Sequence, residues 1–213
     1  MSDSPINVGG TGKAKILVQL LSQLPDRPGG LWAAEVGVYR GACAAYLLAH
    51  VPKLTLVLVD PWAEIAEDSA YRKTGDRCAA LTQAQHEENY QAMLAAVAPY
   101  QTGDALNRAI IERQSSLAAA AEQSDGFLDM VFIDGAHDYA SVAADIAAWW
   151  PKVRPGGLLT GHDYKRRGYK NDVVRAVDEF VAQVGLPLVP HGCLVWEVKK
   201  PEGRFADKPE PAA

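Results

Sequence analysis

Five times along this chain of 213 residues a short apolar run gives way to a helical stretch, and that alternation constrains the fold more than any other feature. The runs are LWAAEV (31–36), KLTLVLVD (53–60), NRAIIER (107–113), FLDMVFID (127–134) and GGLLTGHD (156–163). Some are apolar without a break, which is the mark of strands buried on both faces. Helical stretches follow at 40–50, 82–98, 115–123, 138–150 and 171–184. An amphipathic helix at 13–24 precedes them, with Ile16, Leu17, Leu20, Leu21 and Leu24 at helical spacing. LPLVP and CLVWEVKK close the ordered part as an antiparallel pair. The pattern predicts an α/β fold, a parallel sheet with helices on both faces. Residues 1–200 read as a single domain, with 61–106 as an insertion or lid after the second strand and 201–213 as a disordered tail.

Composition narrows the function. Hydrophobic residues make up 48% of the chain, enough for one substantial core, and the net charge of −5 disfavours nucleic acid as a partner. No apolar run approaches the ~20 residues of a membrane span, so no membrane partner is expected. The first ten residues have neither the basic nor the apolar region of a signal peptide. Cys43, Cys78 and Cys193 form no CxxC pair, so reduced thiols and a cytoplasmic location are expected. Whether the chain forms a homo-oligomer is left open.

In parallel sheets ligands bind beyond the C-terminal strand ends. The first such end reads AAEVGVYRG, a pattern of Glu35, Gly37 and Gly41. A dinucleotide site would need glycine at Tyr39, where the pyrophosphate passes the backbone, so NAD or FAD is disfavoured and a nucleoside without phosphates is tolerated. Glu35 can meet a cationic amino group or order the loop. Asp60 ends the next strand, where a carboxylate can accept both hydroxyls of a ribose. Ser115 and Ser116 follow the third strand and can bond an adenine edge. Trp62 can stack on adenine or simply pack. GGTGK (9–13) suggests a phosphate loop but has Asn7 and Ala14 where that motif needs glycine and Ser or Thr.

At this point the sequence resembles the class I S-adenosylmethionine-dependent methyltransferases. EVGVYRG resembles their first motif, LVLVDPW their acidic second strand, and the stretch from FLDMVFIDGAHDY to GHDY the fourth and fifth strands of a small-molecule O-methyltransferase subgroup related to the catechol and macrocin enzymes. The resemblance covers residues 31–198. It implies a Rossmann-like three-layer sandwich on a seven-stranded, mostly parallel sheet with an antiparallel last strand. It implies S-adenosyl-L-methionine as cofactor, held by Glu35, Gly37, Tyr39, Gly41, Asp60, Trp62, Ser115, Ser116 and Asp134, and a small-molecule acceptor.

Methyl transfer from a sulfonium needs the acceptor held in line and relieved of its proton. Asp134, His137, His162 and Asp163 are the residues for that task. In metal-dependent relatives a carboxylate after the fourth strand pairs with two adjacent ligands after the fifth. Asp134, His162 and Asp163 fall at those positions and could hold magnesium or manganese, although His162 stands where those relatives usually carry an acid. Without a metal, His137 or His162 would serve as base. Asp134, His137 or Asp138 could instead cap the helix that begins near 138, and Tyr139, Trp149 and Trp150 read as packing residues. RKTGDR (72–77) and YKRRGYK (164–170) read as solvated charge runs. Two rival readings are an NAD(P)-dependent oxidoreductase on a similar sheet and a non-catalytic nucleoside-binding module.

Overall fold

Along β2 (Leu54–Val59) every residue is buried, and the side chains sort by parity. Leu54, Leu56 and Leu58 join one apolar cluster and Val57 and Val59 another. Successive side chains of a strand point to opposite faces, so a strand buried throughout must have cover on both. The first cover is α1 (Thr11–Ser22), α2 (Ala42–His50) and α4 (Gln83–Val97), through Leu17, Leu21, Leu47 and Met93. The second is α5 (Ser116–Glu122), α6 (Tyr139–Trp149) and α7 (Asp172–Val184), through Ala119, Ile146, Trp149 and Val177. The computed structural model describes residues 11–101, 107–165 and 172–203.

The sheet has seven strands in the order β3-β2-β1-β4-β5-β7-β6. β1 (Leu31–Val36) pairs in parallel with β2 and with β4 (Leu128–Ile133). β3 (Ala109–Glu112) and β5 (Val153–Gly161) extend the parallel part, β7 (Trp196–Lys199) runs antiparallel to β5, and β6 (Leu188–Pro190) pairs antiparallel with β7. This is the expected Rossmann-like three-layer arrangement. Chain order reverses between β1 and β4, and their ends are level: Val36 lies beside both Val59 and Ile133. At such a reversal the connections leave in opposite directions and open a crevice.

Two boundaries differ from expectation. β5 begins at Val153, not at 156, because its start pairs with Leu128 across a register shift that absorbs the Pro155–Gly156 step. The stretch 61–106 divides. Its first part carries the short α3 (Ala70–Lys73) and loops, whereas α4 buries Met93 and Val97 completely and is an ordinary crossover helix. A capping box between Thr82 and Gln85 starts α4. Residues 102–106, the tail from 204 and most of the 164–170 charge run lie outside the described residues.

Candidate functional site

The turn after β1 is fixed by the strands beside it. Gly37 has φ +89°, and a Cβ there would lie 2.3 Å from the Asp134 carbonyl oxygen, so no other residue fits this crossing. Gly41 caps α2 at φ +74°, and its missing side chain admits Met93 of α4, whose Cγ would sit 2.9 Å from a Cβ. Between them Tyr39 takes a left-handed φ of 55° with its ring exposed. The Asp60 carboxylate holds this loop: Oδ2 accepts from the N–H groups of Val38 (3.1 Å) and Tyr39 (3.0 Å), and Oδ1 from that of Trp62 (2.8 Å). Burial pushes the Asp60 carboxyl up, and these N–H groups offset part of that.

Above the turn lies a continuous cavity of about 910 Å³. Glu35, Gly37, Tyr39, Asp60, Trp62, Ser115, Ser116, Asp134, His137, His162 and Asp163 all line it. Gly41 does not and acts through the helix contact described above. Trp62 is only 1% exposed, donates Nε1–H to the Tyr39 carbonyl (2.7 Å) and packs against Tyr90, which is a packing role. Both serine hydroxyls are engaged within the protein. Ser115 caps α5 on the N–H of Ala118, and Ser116 donates to Asp145 (2.5 Å) while accepting from Trp149 Nε1 (2.9 Å). Asp138 caps α6 as expected, and Trp149 is fully buried.

At the far end an alternating row of charges crosses the cavity floor. Asp76 Oδ2 lies 2.7 Å from His137 Nδ1, and His137 Nε2 lies 2.7 Å from Asp163 Oδ2. Asp163 Oδ2 and Asp134 Oδ1 each lie 3.3 Å from His162 Nδ1, and Asp134 Oδ2 accepts from Lys13. Asp163 holds its place with a left-handed φ of 60°, which aspartate tolerates. Burial pulls both histidines down, but the carboxylates outweigh it and raise each to about 9. The same contacts hold Asp163 below the usual carboxylate range against the opposing effect of its burial. The deeply buried Glu35 goes the other way: burial raises its carboxyl to about 8, against the pull of Lys13. Asp145 rises to about 6, by burial first, opposed by the Ser116 hydrogen bond.

Ligand atoms of Asp134, His162 and Asp163 all lie within 4.8 Å of one another, so this donor set could close on a divalent cation. Lys13 and Asp76 were not among the sequence candidates. Lys13 sits in the GGTGK stretch and Asp76 in the RKTGDR charge run, and neither stretch carries a pattern that announces its partner.

The family described as "Methyltransferase domain" matches residues 34–164, from the middle of β1 to just past β5. The chain belongs to this family. It is therefore a class I S-adenosylmethionine-dependent methyltransferase. Solved structures agree on the fold. A Corynebacterium glutamicum protein is 18% identical with a TM-score of 0.61, over 92% of this chain and 83% of that one. The O-methyltransferase NovP is 19% identical with a TM-score of 0.61, over 89% and 80%. A Staphylococcus aureus protein described as a candidate caffeoyl-CoA O-methyltransferase is 15% identical with a TM-score of 0.58, over 88% and 82%. No curated protein matches the sequence. Among the described residues no helix of this methyltransferase is long and apolar enough to cross a membrane.

Proposed function

We propose that this methyltransferase places the methyl group of S-adenosylmethionine on a hydroxyl oxygen of a small molecule. One observation carries the reading: a single cavity runs from a nucleoside end at Glu35, Gly37 and Asp60 to a reacting end at Asp134, His137, His162 and Asp163. Glu35 and Asp134 would face the amino-acid arm of the cofactor. Asp60 would face the ribose with the lone pairs its loop contacts leave. Because the Ser116 hydroxyl both donates and accepts inside the protein, Ser116 would flank the adenine by shape, whereas Ser115, which only accepts from the Ala118 N–H, would keep its O–H for the adenine edge. Solved structures of this fold include NovP and a Staphylococcus aureus protein described as O-methyltransferases, which suits an oxygen acceptor.

The transfer is an in-line displacement, so the protein must align the acceptor and stabilise it as it loses its proton. With their values raised to about 9, His137 and His162 are cationic at neutral pH. In that state neither can take the acceptor's proton, the role the sequence suggested for them; the proton would pass to water, and the two imidazoliums would lower the cost of forming an oxyanion beside them. A phenolic hydroxyl, with an ordinary pKa near ~10, is the acceptor type this favours most.

A second reading concerns the same acceptor oxygen. Asp134, His162 and Asp163 would hold a divalent cation in place of the proton on His162, and the ion would polarise the hydroxyl. Incubation with tritiated methyl donor and a panel of phenols, sugars and amines, with and without chelator, tests both readings. Label on oxygen supports the first, and label confined to amines overturns it. Activity lost to the chelator and restored by magnesium or manganese supports the second, and activity indifferent to the chelator overturns that one alone.

A further inference from the structure

Lys13 precedes the family match, yet its ammonium reaches the centre of the site. It projects from the first turn of α1, passes 5.7 Å from the ring centroid of Phe132 on β4, and donates to Asp134 Oδ2. Its side chain is 23% exposed, and what it faces is the cavity.

Beside it stands a second observation that points to a ligand. Glu35 is 1% exposed, lines the same cavity, and its Oε2 has no hydrogen-bond partner. A buried carboxylate oxygen left without a donor is costly, and folded proteins rarely tolerate one unless something else supplies the donor. Glu35, Asp134 and Lys13 thus present two acidic groups and one cation around the same end of the cavity. That is the complement of an α-amino acid, whose ammonium needs acceptors and whose carboxylate needs a cationic donor.

We propose that Lys13 recognises the carboxylate of the cofactor's amino-acid arm, and that its pairing with Asp134 is the arrangement of the ligand-free protein, exchanged on binding. The incoming ammonium takes the place of Lys13 at Asp134 and supplies the partner that Glu35 Oε2 lacks, and Lys13 turns to the ligand carboxylate. The amino-acid arm brings one group of each sign to the two acidic groups and the cation already there. A residue outside the family match thereby makes the site selective for nucleosides that carry a complete amino-acid arm. The inference rests on the cofactor reading of the cavity.

The test is titration calorimetry of the full chain with three probes. S-adenosylhomocysteine carries the whole amino-acid arm, decarboxylated S-adenosylhomocysteine lacks only the carboxylate, and 5′-methylthioadenosine lacks the arm. Lys13→Met is expected to weaken S-adenosylhomocysteine about 10- to 100-fold, the worth of one hydrogen bond between charged groups. It should leave 5′-methylthioadenosine at its wild-type affinity, which also shows that the variant is folded, and should not weaken the decarboxylated probe, whose ammonium no longer has to displace Lys13 from Asp134. Lys13→Arg should recover most of the loss. Wild-type affinity for S-adenosylhomocysteine in Lys13→Met overturns the proposal, and so does an equal loss for all three probes. A wild-type protein that binds none of the probes overturns the cofactor reading itself, an outcome distinct from either of those.

Discussion

At neutral pH Glu35 holds its proton in the free protein, because burial disfavours its charge more than Lys13 favours it. Its folded value of about 8 lies above the ordinary 4.5, so across that window the folded state binds more protons than the unfolded one. Stability must then fall as pH rises from about 4.5 to about 8. Glu35→Gln should flatten that fall, as read from denaturation midpoints across the window. An ammonium arriving beside Glu35 favours the carboxylate, so binding S-adenosylhomocysteine near neutral pH should release a proton. Calorimetry in two buffers of different ionisation enthalpy detects that release, and Glu35→Gln should abolish it and weaken binding by about 2 kcal/mol. Gly37 is constrained differently. Gly37→Ala would drive a Cβ against the Asp134 carbonyl at a positive φ, so it should lower the unfolding midpoint by more than the ~1 kcal/mol of an ordinary backbone substitution. Glu35, Gly37 and Asp60 were legible because a strand end, a turn and a carboxylate come in a fixed order along the chain. The engagement of Ser116 was not, since its partners Asp145 and Trp149 lie 29 and 33 residues further on and only tertiary packing brings them to it.

The segment between β2 and α4 closes on itself and then on the site. Arg72 donates to the carbonyls of Ile65 and Ala79, and Thr74 and Asp76 hold the following turn. Asp76 then fastens that turn to His137 at the start of α6, with Tyr71 edge-on to the imidazole at 6.0 Å. If this contact seats the segment, His137→Gln should speed amide hydrogen exchange across residues 70–80 and leave β1 and β4 protected, a pattern mass spectrometry of exchanged peptides resolves. Exchange unchanged over 70–80 would show that the segment is held without His137. The regular elements were legible because their burial follows a pattern: unbroken in β2 and β4, and helically spaced in α1 and α7. This segment has no such pattern, since its order comes from arginine, threonine and aspartate contacts to backbone groups. Its Asp76 therefore read as part of a solvated charge run although it is 7% exposed.

At the scale of the whole molecule, the reversal of strand order between β1 and β4 decides where chemistry can occur. Glu35 and Gly37 arrive from one side of the crevice, Asp134 and His137 from the other, and His162 and Asp163 from the neighbouring β5. α1 adds Lys13, which donates to Asp134, and the segment before α4 adds Asp76, which meets His137. Parallel strands joined by helices made the sheet readable in outline, and the antiparallel pairing of β6 and β7 followed from the short apolar runs after α7. The contributions of Lys13 and Asp76 were hidden, because they come from chain segments far in sequence from the groups they meet, 121 residues for Lys13 and 61 for Asp76. The central claim is that this crevice takes a nucleoside bearing an amino acid and not one bearing a pyrophosphate. Titration calorimetry of the wild-type chain with S-adenosylhomocysteine and, separately, with NAD tests it most directly. The account predicts saturable one-to-one binding of S-adenosylhomocysteine and no heat of binding for NAD. Saturable binding of NAD with none for S-adenosylhomocysteine would contradict it.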